Sequence, residues 1–167
     1  MRSALSIEIA APPELVFGLA RDPLRWPALL PHYVRARRLG GNGPGRMIAF
    51  VARRPLVPLL GLGIPVAWRS RTWDEPERLA IRFRHEGGAT AGMDVTWRIE
   101  PEPGGAGARV TIEHDFAPRV RPWAVIVDRL FTRPIAGRTL ATFKAIAEAV
   151  AGTDKTSVSS QPANQAS

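Results

Sequence analysis

Apolar and polar residues alternate through two runs within positions 92–116, with one exception. Met93, Val95, Trp97 and Ile99 fall on one face of a strand, and Val110, Ile112, His114 and Phe116 on one face of the next. Asp94, Thr96, Arg98 and Glu100, then Arg109, Thr111, Glu113 and Asp115, take the opposite faces. A period of two marks a half-buried antiparallel sheet, and the Pro/Gly-rich run 101–107 turns the chain between the strands. His114 is the one polar residue on the apolar face. Similar patterning predicts strands over 4–10, 33–39, 46–53, 66–73 and 78–85. Asn42-Gly43 is a hairpin signal between the second and third of these. Turns are expected at 74–77 and 86–88.

Two stretches have the helical period instead. Pro13 opens a short helix whose stripe is Leu15, Val16, Leu19 and Ala20, since proline is tolerated in a first turn. A second helical piece over 24–30 ends at Pro31. After Phe116 a helix is expected over 123–131. A long final helix then runs from Pro134 to about Ala151, with Ile135, Leu140, Phe143, Ile146, Ala147 and Val150 on its stripe and Gly152 as its cap. Residues 1–152 read as one domain and 153–167 as a disordered polar tail. Pro55 to Pro65 is apolar, proline-punctuated and without either period. It reads as a buried loop, a flap over a cavity, or a tip that touches a membrane.

The 167 residues suffice for one substantial core. The absence of cysteine removes disulfides and thiol chemistry and suits a reducing cytoplasm, with peripheral membrane contact through residues 55–65 as a further reading. No signal peptide or membrane span is expected. The net charge of +8 is nearly all arginine, because Lys144 and Lys155 are the only lysines. Either it attracts anionic partners, or it reflects codon usage that favours Arg, Ala, Gly and Pro. Without interleaved exposed aromatics, nucleic acid is not an expected partner. Nucleotide-binding loops and a serine elbow are absent from the sequence, and no cofactor is expected.

Residues 4–150 resemble the START-like superfamily with the helix-grip fold, in its polyketide cyclase/dehydrase branch. The resemblance rests on IEIAAPPELVFGLARDPLRWPALLPHYVRARRL, with Pro13 before the helix and Asp22, Trp26 and Pro27 after it. It continues through IPVAWRSRTWDEPERLAIRFRHEGGATAGMDVTWRIEP and VTIEHDF, and ends on IAGRTLATFKAIAEAV. It implies an α+β architecture: a curved seven-stranded antiparallel sheet wrapped around a long C-terminal helix, with two short helices after the first strand. It also implies a cavity for a hydrophobic or aromatic small molecule. The superfamily includes aromatase/cyclases, lipid and sterol carriers, hormone receptors and ubiquinone-binding proteins, so fold does not settle function. No catalytic motif of an aromatase matches residue by residue, and enzymatic activity stays open. The two readings are a polyketide cyclase or dehydratase and a non-catalytic lipid or quinone carrier.

Turn centres set expected registers. Met93 faces Phe116, Val95 faces His114, Trp97 faces Ile112 and Ile99 faces Val110. Phe83 faces Met93, Ile81 faces Val95, and Trp68 faces Phe83. The inner face then presents Trp68, Ser70, Thr72, Phe83, His85, Met93, Val95, Trp97 and Phe116, with Leu140 and Phe143 from the final helix as expected ligand contacts. The aromatics either stack on a planar ligand or simply fill the core. Ser70 and Thr72 bond either a ligand carbonyl or neighbouring backbone. His114 is the acid–base candidate, because imidazole titrates nearest neutrality; the alternative is a buried structural histidine. His85 is expected at the rim and His32 in solvent. The register puts His85 and His114 roughly 16 Å apart, too far to share a metal ion. Outside, Glu100 beside Arg109 and Arg82 beside Asp94 read as a solvated charged face.

Overall fold

The computed structural model describes residues 2–40, 45–57, 62–88, 90–105, 107–116, 127, 129 and 132–159. Strand β1 (Arg2–Ile9) leads into helix α1 (Pro13–Ala20). A 3-10 turn (Pro23–Arg25) then runs into helix α2 (Trp26–Leu29). Six strands follow: β2 (Tyr33–Arg38), β3 (Arg46–Val57), β4 (Leu62–Glu75), β5 (Ala80–Gly88), β6 (Met93–Pro101) and β7 (Ala108–Phe116). Helix α3 (Arg133–Ser159) closes the fold. The sheet order is β1-β7-β6-β5-β4-β3-β2, and every neighbouring pair is antiparallel. This is the helix-grip fold.

Alternation buries one face of the sheet, and α3 covers it. Ala136, Leu140, Phe143, Ala147 and Ala151 are the buried apolar stripe of that helix. Polar links fix its position as well. Lys144 Nζ donates to Glu8 O at 2.6 Å, and Ala10 N donates to Glu148 Oε1 at 2.8 Å. Among the described residues no helix is long and apolar enough to cross a membrane.

The β6–β7 register matches the sequence expectation pair for pair, from Met93↔Phe116 to Ile99↔Val110. Two other registers differ. Phe83 faces Val95 and Ile81 faces Trp97, a slip of two residues. Gly87 and Gly88, read as the turn, remain in the strand, and the chain reverses between Gly88 and Gly92, both at positive φ. On the other side Thr72, not Trp68, faces Phe83. There the 3-10 turn Pro76–Arg78 moves the turn centre along the chain, and a bulge between Arg69 and Ser70 sets Trp68 opposite Gly88. Both slips are even at Phe83, and the bulge takes up the odd residue beyond it, so the inward side chains keep their face.

Two further expectations are corrected. Residues 55–65 are not a loop up to their tip: β3 runs to Val57 and β4 starts at Leu62, pairing Pro55 with Gly63. A continued ladder satisfies backbone groups that a loop would leave open. Residues 58–61 lie outside the described residues, as does nearly all of the helix expected over 123–131. Secondly, α3 does not stop at Gly152 but continues to Ser159, so the part of the expected tail from 153 to 159 is helical. Gly152 keeps helical backbone, and Thr153 Oγ1 donates to Ala149 O at 3.0 Å across it. A glycine caps a helix only by turning left-handed. Val150, placed on the stripe, is 38% exposed.

Candidate functional site

Between the sheet and α3 lies a largely apolar cavity of about 610 Å³, the solvent at its mouth included. Phe50 of β3, Val66 and Trp68 of β4, and Phe83 and His85 of β5 form one wall. Met93, Val95 and Trp97 of β6 with Ile112 and His114 of β7 form the next. Trp26 and Tyr33 enter from the α2–β2 corner, Thr90 from the β5–β6 turn, and Thr132, Ile135, Ala136 and Thr139 from the α3 side.

Trp26 holds the interior together. Its Nε1 donates to Ala20 O at 3.0 Å, which satisfies its one polar atom and fixes the ring. The ring lies 5.1 Å from Tyr33, 5.5 Å from Phe83 and 5.3 Å from Trp97, centroid to centroid. Phe143 packs edge-on to both Trp26 and Trp97.

Two polar groupings interrupt this apolar lining. In the first, His85 Nδ1 and Thr90 Oγ1 are 2.7 Å apart, and the His85 ring stacks on Trp68 at 5.8 Å. Burial first, and the neighbouring His114 second, push the His85 imidazole down to about 3. It is neutral at physiological pH. In the second, Thr139 Oγ1 donates to Ile135 O at 2.8 Å. Its single proton so used, it accepts from His32 Nε2–H, also at 2.8 Å. That fixes the His32 tautomer. His32 Nδ1 is buried without a hydrogen-bond partner among the described residues. Burial, then the Arg138 charge, lower His32 to about 4. Tyr33 reaches the same threonine, and burial raises its phenol well above the ordinary range.

Of the residues expected at the site, Trp68, Phe83, His85, Met93, Val95, Trp97 and His114 line the cavity. Ser70, Thr72, Phe116, Leu140 and Phe143 are buried but are not among its lining residues. Ser70 Oγ donates to Arg84 O at 3.2 Å, the backbone alternative. His85 is a buried wall residue, not a rim residue, because the true turn lies beyond it. His32 is 4% exposed, not solvent-facing, because Arg53 N donates to its carbonyl at 2.7 Å and Thr139 holds its ring. The corrected register leaves His85 and His114 two strands across and only two residues along, about 12 Å at the backbone. Among the described residues no three His, Asp or Glu side chains converge as a metal site. The outer face is ion-paired as expected, though Arg82 pairs with Glu75 and it is Arg84 that meets Asp94.

Sequence reasoning missed Trp26, Tyr33, Phe50, Thr90, Ile112 and Thr139 as wall residues. Thr139 does stand one turn from Ile135 and Phe143, so helical spacing carried its signal. Thr90 was hidden by the misplaced turn.

The family model described as "polyketide cyclase / dehydrase and lipid transport" matches residues 2–150. The chain belongs to that family. The granaticin polyketide synthase bifunctional cyclase/dehydratase of Streptomyces violaceoruber is 29% identical over 117 residues, which are 69% of this chain and 34% of that protein. The chain thus spans about a third of the length of that curated relative. Among solved structures, the Zhui aromatase/cyclase from Streptomyces sp. R1128 is similar with a TM-score of 0.72 at 18% identity, over 89% of this chain and 93% of that one. A START superfamily protein from Mycobacterium smegmatis is similar with a TM-score of 0.63 at 15% identity, over 91% and 97%. At such identities the two structures speak for the fold of this cyclase/dehydrase-family chain.

Proposed function

We propose that this cyclase/dehydrase-family protein binds a hydrophobic, ring-forming molecule in its cavity and promotes cyclisation and dehydration of a polyketide-like chain. The observation that carries the reading is the convergence of His85, Thr90 and His114 on a cavity walled by Trp26, Trp68, Phe83 and Trp97. Such walls fold a flexible chain into one compact conformation, which lowers the entropy cost of ring closure. In the closure an α-carbon loses its proton, the resulting enolate carbon bonds to a ketone carbon, and the new alkoxide takes up a proton. Dehydration then removes that hydroxyl with a second α-proton as water. His114 is assigned the proton transfers. His85 is too weakly basic for that role and serves as a neutral hydrogen-bonding group beside Thr90.

The test uses a synthetic poly-β-ketone thioester, with products resolved by chromatography and mass spectrometry. A cyclised, dehydrated product is expected, falling about 10²-fold with His114→Ala. Binding of 2-naphthol, read from the quenching of Trp26, Trp68 and Trp97, should persist in that variant. Unchanged turnover in His114→Ala would remove the proton-transfer role. The depressed basicity of His85 favours a second reading, a lipid or quinone carrier without chemistry. A protein that binds naphthol tightly but never converts the thioester would decide for it.

A further inference from the structure

All 15 acidic residues of the chain lie outside residues 23–73, the stretch that builds β2, β3 and most of β4. That stretch holds nine arginines: Arg25, Arg35, Arg37, Arg38, Arg46, Arg53, Arg54, Arg69 and Arg71. Its formal charge is therefore larger than the net +8 of the whole chain. Codon usage raises arginine everywhere; it does not clear acids from three consecutive strands.

The fold turns this bias into two different faces. Toward β1 and β7 the outward arginines meet carboxylates: Arg84 with Asp94 at 2.8 Å, Arg98 with Glu113 at 3.2 Å, Arg2 with Asp115 at 3.0 Å. Toward β2, the exposed Arg35, Arg37, Arg53 and Arg69 have no ion pair among the described residues. The register puts them on one surface. Arg37, Ala49 and Arg69 lie in line across β2, β3 and β4, and Arg35, Val51 and Ala67 form the next line. Arg53 follows at the position facing Pro65. Two strand spacings and two residues set the arginines about 7–10 Å apart. Arg69 lies over Gly87, where a Cβ would come within 2.8 Å of its Nε. Small residues floor the space between the guanidinium groups, so the face offers charge without a socket. Val34, an exposed apolar side chain at 50%, stands next to Arg35 on the edge strand.

We propose that this outer face of β2, β3 and β4 docks the protein on an anionic lipid bilayer. A broad field of unpaired guanidinium groups without shaped recesses suits a flat, laterally mobile anionic surface better than a folded acidic partner. Exposed Val34, next to Arg35 on the edge strand, adds the apolar component that peripheral attachment combines with electrostatics. The docking does not depend on which ligand the cavity takes.

The test is cosedimentation of the full chain with vesicles of phosphatidylcholine alone and of phosphatidylcholine mixed with phosphatidylglycerol. Binding is expected only with the anionic lipid and should fall as salt is raised. The triple variant Arg35→Gln, Arg37→Gln, Arg69→Gln should lose about 10²-fold in partition, each arginine near the surface contributing about fivefold. An equal charge removal from the acid-paired face, Arg2→Gln, Arg84→Gln, Arg98→Gln, should change it less than about threefold. Quenching by 2-naphthol checks that both variants keep the fold. The proposal is overturned if wild-type protein does not sediment with anionic vesicles. It is equally overturned if both triple variants lose the same affinity, or if the arginine face retains only an acidic protein or DNA. Vesicle binding by a protein that takes no naphthol would instead sink the cavity reading and leave the docking face standing.

Discussion

Two of the buried histidines are each held by a threonine of the cavity lining, and the two pairs are made by opposite means. His85 and Thr90 are five residues apart and meet because one turn folds back on its own strand. His32 and Thr139 are 107 residues apart and meet only when α3 is docked on the sheet. The first pair reports the geometry of a turn, the second the closure of the whole fold. Damage to one should leave the other nearly intact, and the variants below are ordered by how hard they push on that separation.

The largest effect is expected from Gly88→Val. Gly88 sits at φ 88, and a Cβ there would run into Ala67 O and the Trp68 backbone. Left-handed strain and a contact that backbone cannot relieve each cost about 1–3 kcal/mol, so about 4 kcal/mol is expected in chemical denaturation. The NMR signal of the His32 Nε2–H should survive in whatever fraction stays folded, while the His85–Thr90 contact is lost. Simultaneous loss of both would show that the two pairs are one unit.

Acid should act on both pairs at once. Folded His32 and His85 lie at about 4 and about 3, below the ordinary 6.5, so unfolding takes up protons. The stability from their neutral forms is full above about pH 6.5. It declines as pH falls, toward 4 for His32 and toward 3 for His85. The slope is at most about 1.4 kcal/mol per pH unit for each group, so going from pH 7 to pH 5 should remove about 2 kcal/mol per histidine. His32→Gln and His85→Gln should each flatten about half of that dependence in urea titrations. A variant that leaves the slope unchanged identifies an imidazole that titrates normally in the folded protein.

The same contrast explains what was legible in the sequence. Period-two patterning carried the inner and outer faces of β5, β6 and β7, and the Pro/Gly run 101–107 centred the last hairpin correctly, so Val95 was rightly set against His114. Turns without a single dominant signal were misplaced. Gly87-Gly88 looked like a reversal, although Gly88 is a strand residue that lets the chain pass close to Ala67, and that error hid Thr90. Long-range pairing had still less signal. His32 follows a proline in a loop, and only its partner across the sequence makes it a core residue. Trp26 could be quoted as part of a family pattern, but its position between Phe83 and Trp97 depends on how the α2 corner folds over the sheet.

Thr139→Val tests the distant pair, and the buried Tyr33 phenol loses the same partner with it. The substitution removes the acceptor of the His32 Nε2–H while its isosteric side chain leaves the packing in place. A buried donor without a partner costs about 1–3 kcal/mol, and His32 Nδ1 already lacks one among the described residues. A loss near 2 kcal/mol is therefore expected in urea unfolding, with the His85 chemical shifts unmoved. A loss under about 0.5 kcal/mol would mean that water or a neighbouring group takes over the imidazole.

Thr90→Val should have the smallest effect on the fold and the most specific effect on the cavity. His85 faces a cavity with an open mouth, so losing this partner costs about 1 kcal/mol, the low end for a buried group left unpaired, and disturbs neither α3 nor His32. What changes is the orientation of His85, whose ring also stacks on Trp68. A ligand hydroxyl that bonds the imidazole then loses a preorganised partner, whereas an apolar ligand on the same tryptophans loses nothing. Affinity for 2-naphthol is accordingly expected to fall about fivefold, with naphthalene affinity unchanged, both read by tryptophan quenching. Equal losses for the two ligands would show that Thr90 shapes the cavity wall and does not aim His85. The local pair would then be a structural feature like its distant counterpart.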